Sequence, residues 1–237
     1  MRMRKKKNGA ARLSACAEWI ADRGVAEAQN RPVYIEIGAG KGGFACETAR
    51  RHPDALYFAM ERVSDCAVLA AERAAAQNQA DGSLENLRFL VDTADNLALL
   101  FAPGTVDRIY LNFSDPWPKK GYAKRRLTHR RYLSLYLSLL KDGGRILFKT
   151  DNTGLFDFTL EEIAAVGLSP AFVTRDLHAS ERAAENVMTE YETAFCAQGM
   201  KICMLELTKP AGFAIPVSHE LTEEGRAEDA ERHKKSK

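Results

Sequence analysis

The fold class of this chain is decided by one stretch near its start, Val33-Tyr34-Ile35-Glu36-Ile37-Gly38-Ala39-Gly40-Lys41-Gly42-Gly43. The mostly apolar run Val33–Ile37 predicts a buried strand, and the glycines directly after it predict a sharp turn into a helix. A strand, a glycine turn and a helix in this order are typical of nucleotide-type sites in doubly wound α/β sheets. Taken alone the motif is weak, because Gly38, Gly40 and Gly43 also satisfy the dinucleotide fingerprint of dehydrogenases.

The rest of the chain continues the alternation of strands and helices, which predicts a mainly parallel sheet. Six further strands are predicted, at Leu56–Met60, Leu87–Val91, Val106–Asn112, Arg145–Thr150, Phe172–Leu177 and Ile202–Leu207. The last two are expected to form an antiparallel pair that closes one edge of the sheet. Helices are predicted from Val63 to Ala80 and from about His129 to Lys141-Asp142-Gly143-Gly144, and an amphipathic stretch covers Leu13 to Val25.

Composition and cysteine content indicate the domain organisation of the chain and the cellular environment that it suits. With 237 residues, 46% of them hydrophobic, it is long enough to bury one sizeable core. We expect a basic N-terminal segment and helix over 1–30, one domain over 31–209 and a flexible, charged tail over 210–237. We expect neither a signal peptide nor a membrane span. The five cysteines are odd in number and lack the spacing of a zinc site, so we expect a cytoplasmic protein with no membrane partner and no metal.

Two acids lie beside the predicted glycine turn. Glu61 ends the second strand, about twenty residues after the glycines, where a carboxylate can accept hydrogen bonds from both ribose hydroxyls of a cofactor. Its alternative interpretation is an exposed acid that starts a helix. Glu36 lies two residues before Gly38, and a carboxylate there suits a ligand with an ammonium and a sulfonium group better than a pyrophosphate. We therefore expect Glu36, Gly38, Gly40 and Glu61 to bind a cofactor.

A second group of polar and aromatic residues follows the fourth strand, in Asn112-Phe113-Ser114-Asp115-Pro116-Trp117-Pro118-Lys119-Lys120. In a doubly wound sheet the ligand crevice lies where the strand order reverses, and the fourth strand is the natural partner of the first across that point. There Asp115 offers an acceptor, and Trp117 offers a flat surface on which a base can stack. Trp117 can equally be an ordinary lid over the edge of the core.

A basic block overlaps this segment, although the formal net charge of the chain is only +2. It holds Lys119, Lys120, Lys124, Arg125, Arg126, His129, Arg130 and Arg131, with no acid among them. Such a block is usually a solvated face. Next to Asp115 and Trp117 it favours an aromatic substrate on a phosphate backbone, and we expect Lys124, Arg125 and Arg126 to bind phosphates.

Four motifs together resemble the bacterial tRNA (guanine-N7-)-methyltransferases, over about Arg2 to Leu207. They are Gly38-x-Gly40 after Glu36, Ser114 to Lys120, Lys149-Thr150-Asp151-Asn152 and Asn186-Val187-Met188-Thr189-Glu190-Tyr191-Glu192. The resemblance implies an α/β, Rossmann-like, seven-stranded class I methyltransferase fold. It also implies S-adenosylmethionine as the methyl donor and a variable-loop guanosine of tRNA as the target.

The resemblance implies roles for individual residues as well. Cofactor-site acids of the family are matched by Glu36, Glu61 and Asp115, and Asp115 also matches a proposed catalytic position. Substrate-binding positions are matched by Lys119, Asp151, Thr189, Glu190, Tyr191 and Glu192. After the third strand, gap-free counting places Thr93 where the family usually has Asp, with Asp92 just before it. Either of these two residues can contact the adenine amino group of the cofactor.

The implied reaction asks little acid-base work of the protein. Guanine N7 carries a lone pair and no proton, so catalysis should consist mostly of positioning. Attack leaves the purine cationic, and a carboxylate such as Asp115 would favour that charge, while Asp151 is a candidate to accept from the guanine N–H groups.

Three other classes of protein remain open, and so do a monomer and a homodimer. An NAD-dependent dehydrogenase explains the glycines, but the chain has no Tyr-x-x-x-Lys pair. A small-molecule methyltransferase has no use for the basic block. A non-catalytic RNA-binding protein does not need Glu36 and Glu61.

Overall fold

Strands and helices alternate along the chain and build one sheet with helices on both faces. The computed structural model describes residues 8–21 and 31–214. The predictions made for residues 1–7, 22–30 and 215–237, including most of the tail, lie outside the described residues. In the part of the chain that is described, the sheet has seven strands: β1 (Val33–Ile37), β2 (Leu56–Met60), β3 (Leu87–Leu90), β4 (Val106–Asn112), β5 (Leu140–Thr150), β6 (Phe172–Thr174) and β7 (Cys203–Thr208).

The strand order β3-β2-β1-β4-β5-β7-β6 reverses direction between β1 and β4. The first five strands in this order pair in parallel, while β7 is antiparallel to both β5 and β6. The predicted fold class and the predicted antiparallel pair at one edge are thereby confirmed. Because ligands bind outside the carboxyl ends of the strands at such a reversal, the fold directs attention to the ends of β1 and β4.

The described helices are α1 (Gly9–Ala15), α2 (Gly43–Arg51), α3 (Ser64–Asp81), α4 (Leu97–Leu100), α5 (Arg130–Leu139), α6 (Thr153–Ala165) and α7 (Glu190–Cys196). Short 3₁₀ helices cover Ala17–Trp19, Ala94–Asn96, Lys120–Arg125, Leu177–Ala179 and Ala183–Glu185. Among the described residues, no helix is both long and apolar enough to cross a membrane. In the same residues, no group of three or more His, Cys, Asp or Glu side chains has the arrangement of a metal site.

The two faces of the sheet carry separate cores, because side chains alternate along each strand. Ile35 of β1 packs with residues of α4, α5 and α6, whereas Tyr34 packs with residues of α2 and α3. On the second face the backbone at Gly42 approaches α3 so closely that an added Cβ would lie 2.8 Å from the Cβ of Ala70. Glu36 follows Tyr34 by two residues, so its side chain shares the face covered by α2 and α3.

Two predicted boundaries are wrong by more than one residue. Helix α5 ends at Leu139, but the segment Lys141–Gly144, expected to cap it, belongs to β5. There the pairing with β4 shifts register, and the Gly143 N–H donates to the Lys209 carbonyl instead of closing a helix. Strand β6 ends at Thr174 instead of Leu177, because Leu177 turns inward as a buried residue of a 3₁₀ helix.

Candidate active site

A crevice of about 1180 Å³ opens at the carboxyl ends of β1 to β4. Five of the positions predicted to contact a cofactor line it: Gly38, Glu61, Asp92, Thr93 and Asp115. They follow four different strands, so they are brought together by the sheet and not by proximity in sequence. The crevice lies where the strand order reverses, as the sequence predicted.

The glycine turn after β1 forms one wall of this crevice. Gly38 and Gly40 adopt φ of +88° and +56°, in the left-handed region that glycine enters without steric cost. The N–H groups of Gly38 and Ala39 both donate to the Met60 carbonyl at the end of β2, at 2.8 and 2.9 Å. A Cβ added at Gly38 or Gly40 would meet no atom within 4 Å. The turn therefore presents bare backbone to open space, which is what the close approach of a cofactor requires.

Glu61 is a buried acid, 8% exposed, that joins this turn to the end of β2. Its Oε2 accepts from the Gly40 N–H at 2.9 Å, and its Oε1 accepts from the Val63 N–H at 2.8 Å. Hydrogen bonds to a charged acceptor are stronger than those between neutral groups, so Glu61 holds the glycine turn in place. The carboxylate lines the crevice at the same time, where its remaining lone pairs can accept from a ligand.

Glu36 does not line the crevice, although it lies directly behind the glycine turn. It is 2% exposed, and its carboxyl accepts from the Asn112 amide at 3.1 Å and from the Tyr57 hydroxyl at 3.4 Å. Burial raises the pKa of Glu36 to about 7. Asn112, the last residue of β4, does line the crevice. In this structure Glu36 therefore reaches the site through Asn112.

Asp92 and Thr93 both line the crevice after β3, so both alternatives for the adenine contact are in place. One oxygen of Asp92, Oδ1, accepts from the Thr93 N–H and from the Asn96 amide, each at 2.7 Å. These two hydrogen bonds fix the carboxyl relative to the loop that follows β3.

Asp115 lies on a strained loop that leaves β4. Phe113 and Trp117 have φ of +50° and +41°, which is uncommon for residues with a side chain and tends to occur at functional sites. Two hydrogen bonds hold the loop: the Phe113 N–H donates to the Lys149 carbonyl, and the Arg126 side chain donates to the Trp117 carbonyl. The Asp115 side chain is 70% exposed, with Arg62 at 3.7 Å. The loop thus presents this carboxylate toward the open crevice.

Trp117 belongs to a small aromatic and cationic group at the rim of the crevice. The Tyr122 ring meets it edge-on at 5.9 Å, and the Arg125 guanidinium lies 5.1 Å from the Trp117 ring and 4.6 Å from the Tyr122 ring. The guanidinium occupies ring faces through cation–π contacts, and the aromatic surface that it leaves open is of the kind on which unpaired bases stack. Trp117 lines the crevice, so it is placed to contact a ligand there.

The basic block divides into outward and inward members. Lys119 is exposed, and Lys124 and Arg125 line the crevice. Arg126 is half-buried, with its guanidinium donating to the Trp117 carbonyl and lying 4.3 Å from the Phe158 ring. Because Arg126 donates to the Trp117 carbonyl, it helps to fix the conformation of the Asp115 loop, whether or not it also contacts a phosphate. Arg130 and Arg131 form ion pairs with Glu162 and Asp95.

The segment Thr189 to Glu192 begins α7 beside the Asp115 loop. Thr189 and Glu192 form a capping box, and Glu192 is fully buried. Tyr191 is 57% exposed, and its ring stacks on Phe113 with 6.5 Å between centroids. Glu190 pairs with Arg73. This segment therefore offers Tyr191 to a ligand, while Glu192 points into the protein.

Asp151 follows β5 and is half-buried. It is not among the residues that line the crevice.

One polar residue that lines the crevice and one buried residue behind it were not predicted from the sequence. Arg62 follows Glu61 and reaches across the crevice to Asp115. Lys149 is 3% exposed at the end of β5, and its ammonium contacts Glu192 at 2.6 Å. A lysine directly after the apolar run Ile146–Phe148 was the available signal, because lysine is almost never fully buried unless it is paired.

The known proteins that this chain resembles in sequence are methyltransferases. A family model described as "putative methyltransferase" matches residues 30–205. The tRNA (guanine-N(7)-)-methyltransferase of Macrococcus caseolyticus is 42% identical over 178 residues, which are 75% of this chain and 82% of that protein. The protein of the same name from Lysinibacillus sphaericus is 46% identical over 177 residues, which are 75% of this chain and 80% of that protein.

Solved structures with a similar fold are also methyltransferases. A crystal structure of the 16S rRNA methyltransferase KamB superposes with a TM-score of 0.56 at 15% identity, covering 88% of this chain and 96% of that one. An antibiotic-related methyltransferase gives a TM-score of 0.53 at 16% identity, covering 87% and 96%. At such identities these structures support the fold alone.

Proposed function

The chain belongs to the tRNA (guanine-N(7)-)-methyltransferase family, and from that premise we propose that it methylates N7 of a guanosine in tRNA with S-adenosylmethionine. One observation carries the assignment to this site. The crevice at the β1/β4 reversal brings the glycine turn and Glu61 into the same space as Asp115 and the Trp117 rim. The residues proposed to bind the cofactor and those proposed to bind RNA thus share one opening.

The cofactor wall suits S-adenosylmethionine, whose sulfonium supplies an electrophilic methyl group when the molecule is bound. Gly38 and Gly40 leave the space that a Cβ would occupy, which allows the methionine portion to lie against the backbone. Glu61 would accept hydrogen bonds from the ribose hydroxyls. Asp92 or Thr93 would contact the adenine. No pyrophosphate has to be accommodated, which agrees with the carboxylates that surround this turn.

The RNA side of the proposed site consists of the rim of the crevice. Lys124 and Arg125 would bind phosphates, with Lys119 at the exposed start of the same loop. Trp117 lines the crevice, and Tyr191 is exposed beside the Asp115 loop but outside that lining. Arg125 covers one face of the Trp117 ring and Phe113 one face of the Tyr191 ring, so an unstacked base would lie on their opposite faces. In an A-form helix the N7 edge faces a deep groove that side chains barely enter, so the target must be a loop base or a base drawn out of its stack.

The protein's part in the chemical step is to align and to stabilise charge. Because N7 has no proton to lose, no residue has to act as a general base. Asp115 would face the purine as it becomes cationic. Asp151 lies outside the lining of the crevice, so it would accept from the guanine N–H groups of a base that extends past this lining toward the end of β5. The Asp115 carboxylate is mostly solvated here, so its charge is screened. Docking of tRNA over the rim would exclude water and strengthen the effect of this charge on the reacting base.

Incubation of the protein with unmodified tRNA and S-adenosylmethionine, followed by nucleoside analysis, tests the proposal. We expect 7-methylguanosine, and its absence would refute the proposed function. Equilibrium dialysis against S-adenosylmethionine and against NAD separates the alternatives. Binding of NAD alone would support a dehydrogenase, and binding of neither would support a non-catalytic RNA-binding protein. We further propose a cytoplasmic location, because the proposed substrate is tRNA.

A further inference from the structure

Lys149 is a buried cation with three acceptors on a single segment. Its Nζ donates to Asn186 Oδ1 at 2.9 Å, to the Val187 carbonyl at 2.8 Å and to Glu192 Oε2 at 2.6 Å. An ammonium group has three donors, so all of its hydrogen bonds go to residues 186–192. These three bonds fix that segment relative to the end of β5.

The same residue also contacts the loop that carries Asp115 and the start of α2. The Lys149 carbonyl accepts from the N–H of Phe113, which starts the strained loop that carries Asp115. Its ammonium lies 5.1 Å from the ring of Phe44, the residue that follows the glycine turn into α2. Lys149 therefore contacts three parts of the proposed site: α2 after the glycine turn, the Asp115 loop, and the 186–192 segment.

The stability of the fold does not by itself require this arrangement. Glu192 is fully buried, and it also accepts from the Asn186 amide at 2.6 Å and lies 3.0 Å from His178. Burying such an ion pair costs desolvation energy, and apolar pairs of similar volume are often equally stable or more stable. What the charged pair adds is directional hydrogen bonds that hold the two chain segments in one relative position.

We propose that Lys149 is a positioning residue for methyl transfer. It holds the 186–192 segment, which presents Tyr191, in register with the Asp115 loop, so that the target guanosine meets the donor in a reactive alignment. This inference rests on the proposed function. Lys149 acts through the residues that it holds, so its loss should reduce the rate of the chemical step more than the affinity for either substrate. A misplacement of about 1 Å is expected to cost about a hundredfold in rate.

The test compares Lys149→Met with the double variant Lys149→Met/Glu192→Met. The single variant leaves the buried Glu192 carboxylate without its cationic partner Lys149, so its melting temperature should fall. The double variant buries no such carboxylate, but it also loses the hydrogen bonds that Glu192 accepts from Asn186 and Thr189, so it should recover only part of that loss. Rates are measured in single turnovers with tRNA and S-adenosylmethionine saturating, so that binding defects are masked. We expect both variants to react about a hundredfold more slowly than wild type. Lys209→Met removes another lysine that bonds to the sheet, far from the crevice, and should leave the rate unchanged.

A milder variant covers the case in which Lys149→Met fails to fold. Asn186→Ala removes one acceptor and keeps the Lys149–Glu192 pair, and we expect a rate loss of at least about tenfold with unchanged affinity for S-adenosylmethionine. Two results would overturn the proposal. One is a saturated rate within a few fold of wild type in Asn186→Ala or Lys149→Met. The other is a rate that recovers with the melting temperature in the double variant, which would make Lys149 purely structural.

Failure of the proposed function would give a different pattern. A wild-type protein that forms no 7-methylguanosine would refute both the function and the positioning role. An active wild type with an equally active Lys149→Met variant would refute the positioning role alone.

Discussion

Replacing Glu61 with Ala should weaken both cofactor binding and the glycine turn. The carboxylate accepts from the Gly40 and Val63 N–H groups, and it lines the crevice where the ribose is proposed to bind. Its removal leaves two backbone donors without their acceptor and removes the charged acceptor from the cofactor. The two consequences can be measured separately.

The structure sets the size of each effect. A stranded donor costs about 1–3 kcal/mol, and both of these hydrogen bonds are only partly buried, so water can replace the acceptor in part. We therefore expect about 2–3 kcal/mol of lost stability for the pair, which corresponds to a melting temperature lower by about 4–12 °C. Loss of a charged acceptor from the cofactor should cost about 1.5–3 kcal/mol, or roughly 10- to 150-fold in Kd.

Calorimetry with S-adenosylmethionine and thermal unfolding check the two effects. Glu61→Gln keeps the size of the side chain and one acceptor oxygen, so its loss of melting temperature should be smaller. Glu161→Ala removes an exposed acid on α6 and should change neither quantity. An unchanged Kd in Glu61→Ala would refute the assignment to the ribose. An unchanged melting temperature would refute the role of Glu61 in holding the turn.

Three further predictions concern charge. Asp115→Asn should lower the saturated single-turnover rate about a hundredfold to a thousandfold with little change in affinity, and a rate within a few fold of wild type would contradict its electrostatic role. Replacing Lys124 and Arg125 with Ala should make the slope of log affinity for tRNA against log salt concentration shallower by about 0.7–0.9 for each phosphate that the protein no longer binds. Arg126→Ala should also lower the melting temperature. An unchanged slope would mean that these side chains only face solvent. Burial raises the pKa of Glu36 from 4.5 to about 7, so between these pH values the native state binds more protons than the unfolded state. As pH rises through this window, the free energy of unfolding of wild type should therefore fall by about 3 kcal/mol relative to that of Glu36→Gln. Chemical denaturation at several pH values measures this difference, and parallel pH profiles of the two proteins would contradict it.

The central part of the fold could be predicted from local sequence patterns. Strands β1 and β2 have the predicted boundaries because they are mostly apolar and almost entirely buried on both faces. Strand β4 has them because its buried positions, Val106 and residues 109–111, are apolar, although Asp107, Arg108 and Asn112 are polar. The boundary near Lys141–Gly144 was wrong for a tertiary reason. The pairing of β5 with β4 and the hydrogen bond to Lys209 decide the conformation of these glycines, and no local pattern reports such interactions.

The site shows the same division. Gly38, Glu61 and Asp115 could be placed from the sequence, because the end of a parallel strand is visible locally and the sheet brings such ends together. The burial of Glu192 and Lys149 depends on how α7 packs against β5, some forty residues earlier in the chain. Glu36 has the expected position in the chain, but the face that its side chain occupies follows from the packing of α2 and α3.

The close approach of Gly42 to α3 means that glycines of the same turn are required for different reasons, one for folding and the others for ligand binding. Alanine at Gly42 would collide with Ala70, so it should reduce the amount of folded protein as well as its activity. Alanine at Gly38 or Gly40 meets empty space, so it adds no steric clash to the backbone strain of a positive φ, which Gly42 shares, and it should lower activity more than it lowers the amount of folded protein. In a deep mutational scan, abundance scores and activity scores should therefore agree at Gly42 and diverge at the two glycines before it. Such a divergence would map the footprint of a small molecule without any measurement of binding.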